Sequence, residues 1–163
     1  MTAPHWLPDV ISVSGDWDET LLTLYSVFDA DFKQGTRRLK GRPVWWDRTV
    51  LAGEKYEEGF WHLISRDDRV TGDRLFDPRR AERLPWCGPT LSHETESEVK
   101  CWNYQEGSGH IRTYVWLEGF DYVVVLEKSH KRLGDVYFMI TAYHVDGPSV
   151  RNSLTRKFDN REP

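Results

Sequence analysis

Three β-rich runs late in the chain, IRTYVWLEG, FDYVVVLEK and DVYFMITAYHV, restrict its fold more than any other feature. The first two are parted by Glu118 and Gly119, the last two by SHKRLG. Connections this short join antiparallel neighbours, because a parallel return needs a crossover of a dozen or more residues. Residues 111–145 therefore read as the main part of an antiparallel sheet.

Helical spacing comes first along the chain. Residues 1–14 read as a loose lead-in, after which Asp16 offers a cap with Glu19 three residues on. Leu21, Leu22, Leu24, Tyr25, Phe28 and Phe32 then predict an amphipathic helix over 17–33, stopped at Gly35. Residues 43–47 read as a strand. So does GFWHLISRDDR, where Phe60, His62 and Ile64 alternate with Trp61, Leu63 and Ser65. Asp77 and Pro78 open a short arginine-rich helix to about Leu84, and residues 86–99 read as loop. Val150, Leu154 and Phe158 at four-residue spacing predict a short terminal helix. Helices followed by a sheet make the class α+β: an N-terminal helix on a mainly antiparallel sheet of about four strands, in one domain over 1–163.

With 163 residues, 39% of them hydrophobic, the chain can bury a proper core without staples. It carries eight tryptophans, and Trp45, Trp46, Trp61, Trp102 and Trp116 are expected to be buried or to line a groove. No apolar run approaches a membrane span, and MTAPHWLPDV lacks the basic start and apolar segment of a secretory signal. The expected location is cytoplasmic, or wherever a machine that needs no such signal delivers the chain. Cys87, His93, Cys101 and His110 do not have zinc-ligand spacing, so no metal is expected. GxGxxG, P-loop, HExxH and GxSxG signatures are missing, so no cofactor is expected either.

A net charge of −4 argues against a basic, sequence-independent nucleic-acid coat. Base is nevertheless concentrated at Arg79, Arg80 and Arg83, over 128–132, and at Arg151, Arg156 and Lys157. On the last strand, strict alternation sets Val136, Phe138, Ile140, Ala142 and His144 on one face, and Tyr137, Met139, Thr141, Tyr143 and Val145 on the other. The first set makes a core side. The second carries hydroxyls suited to a ligand-facing surface, although Thr and Tyr are also ordinary strand residues. His62 with Arg66 four residues on is a candidate general base or acid, and equally a plain core histidine. Lys128, His130, Lys131 and Arg132 form a basic turn that could reach a phosphate or simply be solvated.

Together these segments hold what metal-free RNA cleavage needs: a proton-transfer group, cations for phosphate, and hydroxyl donors. His62, Thr141 and Tyr143 are the candidate catalytic residues, and Arg66, Lys128, His130, Lys131 and His144 the candidate substrate-binding ones. The Thr141/Tyr143 face is expected to look into a cleft within reach of His62, flanked by at least one of Arg66, Lys128, Lys131 and Arg132.

The stretch YFMITAYHVDGPSVRNSLTRKF resembles the C-terminal end of the barnase–EndoU–colicin–RelE group of ribonucleases, in its phage-associated and toxin branches. Thr141, Ala142 and Tyr143 match that group's strand motif, and Phe60 with His62 matches its earlier histidine-bearing segment, over about 59–158. The resemblance implies helices on a four-stranded antiparallel sheet, cleavage of a structured RNA such as tRNA to a 2′,3′-cyclic phosphate, and a possible cognate inhibitor or immunity protein. The other reading is a non-catalytic binding module, a phage accessory or antitoxin-like protein, gripping a basic partner through the acids at 54–58 and 94–98.

Overall fold

Asp16 accepts the Glu19 main-chain N–H at 3.0 Å and opens helix α1 (Trp17–Phe28), in a computed structural model that describes residues 2–163. The helix widens into a π turn over Asp29–Lys33, and the chain leaves it through Gly35 at φ +123°, a conformation that favours glycine. Leu24, Phe28 and Phe32 are buried, as their spacing predicts.

Two short strands follow, β1 (Arg38–Leu39) and β2 (Arg42–Trp45), and then helix α2 (Glu58–Ile64). Next come the small hairpin β3 (Ser65–Asp67) and β4 (Arg74–Phe76), and helices α3 (Pro78–Glu82) and α4 (Leu84–Ser92). Strands β5 (Val99–Gln105), β6 (Ile111–Leu117), β7 (Tyr122–Lys131) and β8 (Gly134–His144) form an antiparallel meander. Helix α5 (Gly147–Asp159) ends the fold.

The class is α+β, but the sheet has six strands in the order β1-β2-β8-β7-β6-β5 and is mixed. Strand β2 lies parallel to β8, pairing Val44 with Tyr137 and Trp45 with Phe138. Most of the chain separates these two strands, so no local pattern reports their pairing. Two local readings also change. GFWHLI is helical, since Phe60, Leu63 and Ile64 are wholly buried at i, i+3, i+4 spacing. Residues 84–92, read in part as loop, form α4 because Leu84, Trp86, Cys87 and Leu91 are buried there in spite of Gly88 and Pro89.

One sheet face packs under α1, α2 and α4, with Leu24, Phe28, Phe60, Leu63, Val124 and Leu126 in its core. The other face, under α5, buries Trp102, Tyr114, Trp116, Val123, Val125 and Leu154. Trp46 is buried too, Trp61 is half-buried, and Trp45 is 39% exposed beside a groove. Among the described residues no helix is long and apolar enough to cross a membrane.

The alternation expected of β8 breaks in its middle. Leu126 pairs with Met139 and Val125 with Thr141, so Ile140 is an extra residue in a β-bulge. Tyr137, Met139 and Ala142 consequently face the large core, while Ile140, Tyr143 and Val145 join the α5 side. The core side read as Val136, Phe138, Ile140 and Ala142 is therefore corrected: Ile140 and Ala142 lie on opposite faces.

Candidate active site

The bulge sets Thr141 where β2 has ended and α2 and α3 pack against β8 instead. His62, Ser65, Arg66, Asp67, Arg74, Arg80, Ile140 and Thr141 line a cleft of about 320 Å³ at this place. His62 reaches it from the last turn of α2 rather than from a strand. That helix is pinned at its start: the buried Glu57 accepts the Tyr25 hydroxyl at 2.5 Å and pairs with Lys33 at 3.3 Å. These partners lower the Glu57 pKa despite the opposing desolvation, which is the largest single influence on it.

Arg80 organises the cleft. Asp77 caps α3, its Oδ1 accepting the N–H groups of Arg79 at 3.0 Å and Arg80 at 3.2 Å. Its Oδ2 lies 3.4 Å from Arg80 Nε and 3.9 Å from Arg66 Nε. Arg80 Nη1 donates to the Ser65 carbonyl at 2.7 Å and to Thr141 Oγ1 at 3.1 Å. Thr141 Oγ1 in turn donates to the His62 carbonyl at 3.0 Å. Burial lowers the Arg80 pKa, yet a guanidinium keeps its charge in proteins. The cleft thus contains a partly dehydrated, fixed cation whose charge Asp77 offsets in part. Arg74 is held separately by Glu58 at 2.6 Å.

Arg66 also lines a second cleft, of about 620 Å³, with Phe76, Arg79, Glu82, His144 and Asp146. There Arg79 Nη1 stands 3.3 Å from His144 Nε2. Since arginine can only donate, Nε2 accepts and the ring proton of neutral His144 belongs on Nδ1, which is buried without a partner among the described residues. Burial first, then Arg83 and Arg79, lower the His144 pKa. His62, Arg66, Thr141 and His144 therefore gather along two adjoining clefts.

The other candidates fall elsewhere. Tyr143 is not a lining residue of the cleft: it packs on the α5 side, and the Arg80 guanidinium lies 5.6 Å from its ring centroid. Burial raises its pKa. Lys128, His130 and Lys131 belong to β7 rather than to a turn, and none of them lines the His62 cleft. Lys128 sits over Tyr137 at 5.6 Å, His130 meets Asp135 at 2.5 Å, and Lys131 sits over Trp45 at 5.7 Å. Arg80 is the residue that sequence reading missed. Its signal was the basic cluster behind the Asp77–Pro78 helix start, which indicated a helix but not where its arginines point.

A scan against protein-family models finds no match for the chain, and searches of curated proteins and of solved structures find none either.

Proposed function

We propose that the chain is an endoribonuclease that cleaves a structured RNA by 2′-hydroxyl attack, without a metal. One observation carries this reading: His62, Arg66, Arg80 and Thr141 converge on one cleft from separate elements. His62 takes the proton of the attacking 2′-hydroxyl as O2′ bonds to phosphorus, and water donates a proton to the 5′-oxygen as the P–O5′ bond breaks. Arg66 and Arg80 neutralise the charge gathering on the phosphorane oxygens, the work a metal ion does in other nucleases. Thr141, whose hydroxyl is engaged by His62 and Arg80, is a positioning residue. His144 and Arg79 hold the neighbouring nucleotide.

The binding-module alternative loses part of its surface, because Glu57 and Glu58 are engaged internally with Lys33 and Arg74. The test is incubation of the purified protein with total RNA in EDTA. Products ending in 2′,3′-cyclic phosphate are expected, lost in His62→Ala and strongly reduced in Arg80→Ala. RNA left intact at high protein concentration rejects the reading.

A further inference from the structure

We propose that the cleft beside the β7–β8 hairpin binds a single-stranded stretch of nucleic acid, with one base stacked on Trp45 and phosphates on Arg42, Lys131 and Arg132. The ligand class rests on the reading of the chain as one that acts on RNA. The cleft, about 690 Å³, is walled mainly by apolar surface and carries Arg38, Arg42, Lys131 and Arg132 against the single carboxylate of Asp135. That carboxylate is already bonded to His130. So strong a local excess of base, on a chain of net charge −4, complements a polyanion.

The aromatic content narrows the choice. Trp45 is 39% exposed at the end of β2, and Lys131 and Arg48 stand 5.7 and 6.0 Å from its ring. An aromatic platform among cations is how proteins hold single strands, whose bases are free to stack while the backbone follows the charges. A duplex would present phosphates alone and leave the indole unused.

Both clefts border β8, this one at Val136 and the active one at Ile140 and Thr141. Trp45 pairs with Phe138, while Val44 and Tyr137, one residue back on each strand, face the large core. Trp45 and Phe138 therefore lie on the opposite sheet face, the one that Ile140 joins at the bulge. From Phe138 to Thr141 the strand advances roughly 10 Å. A strand cut at Thr141 would run across Phe138 to Trp45.

The test measures binding by His62→Ala protein, so that the probe survives. Fluorescent single-stranded oligouridylate is compared with an RNA duplex of equal length and with polyglutamate. Single-stranded RNA should bind tightest. Trp45→Ala should weaken it roughly tenfold or more, and Trp45→Phe should retain most of the affinity. Replacing Arg42 and Lys131 together by Gln should lower the log–log salt slope by about 1.4. Both cations are exposed, so this variant stays informative even where Trp45→Ala disturbs folding. Unchanged single-strand binding in both variants overturns the inference, as does tighter binding of duplex or polyglutamate. Binding of this kind by a chain that leaves RNA intact would reject the nuclease reading alone. Cleavage with Trp45-independent binding would reject this inference alone.

Discussion

The hydroxyl of Thr141 on β8 donates to the main-chain carbonyl of His62 on α2 at 3.0 Å, joining residues 79 positions apart. The same oxygen accepts from Arg80 Nη1 at 3.1 Å, so one hydroxyl ties β8, α2 and α3 together. Thr141→Val removes it at nearly constant shape, taking the hydroxyl donor from the His62 carbonyl and one of the two acceptors from Arg80 Nη1, which keeps the Ser65 carbonyl. The expected cost is about 1–3 kcal/mol, measured by urea unfolding. Thr141→Ser keeps the oxygen and should recover most of that loss, together with most of the proposed RNA cleavage. Equal stability of the Val and Ser variants would remove Thr141 from its positioning role.

Gly59 is constrained by space rather than by its backbone angles. A Cβ there would lie 2.7 Å from Trp46 Cβ, 2.8 Å from Trp46 Cδ1 and 3.0 Å from the Asp47 carbonyl oxygen. Gly59→Ala should therefore destabilise by about 1–3 kcal/mol through overpacking, offset by up to about 1 kcal/mol of helix propensity. The displaced helix carries His62, so the proposed cleavage should fall although Gly59 does not line the cleft. A thermal melt showing an unchanged or higher midpoint would contradict this.

The two cysteines should be inert in the native protein. Burial pushes the Cys87 thiol up to about 12 and the Cys101 thiol up to about 11. Only thiolate reacts, so an aromatic disulfide reagent near pH 8 should label neither quickly. Cys87, wholly buried, should react only as fast as the fold opens. Both should titrate at once in denaturant, and rapid native labelling of Cys87 would show that α4 is not packed as described.

Legibility divides along the range of the interactions. The capped helix at Asp16, the β6–β7–β8 meander and the Asp77–Pro78 helix start are local, and the chain announces each of them. The parallel β2–β8 pairing is not local, and it went unread. The segment around His62 reads locally either way, since over so few residues Phe60, His62 and Ile64 satisfy strand alternation while Phe60, Leu63 and Ile64 satisfy helical spacing. The Ile140 bulge has no residue signature, being neither Gly nor Pro, and one inserted residue reverses every later face assignment. Arg80 escaped because a basic cluster on a short helix does not reveal which arginine turns inward.

His144 should make the fold sensitive to mild acid. Its pKa is lowered by burial first and then by Arg83 and Arg79, while Asp121 and Asp146 pull the other way. In the unfolded chain the ring takes a proton near its ordinary value of about 6.5. As pH falls through that value the unfolded chain gains a proton that the folded chain resists, so stability drops, and it stops dropping below the lowered folded value. Above about pH 7 both states carry neutral His144 and the contribution vanishes. Urea midpoints from pH 8 to pH 5 should therefore fall more steeply in the wild type than in His144→Asn. Asp146→Asn, which removes an attraction favouring the charged ring, should steepen the fall further. Parallel profiles for the wild type and His144→Asn would mean that the ring is not held neutral between Arg79 and Arg83.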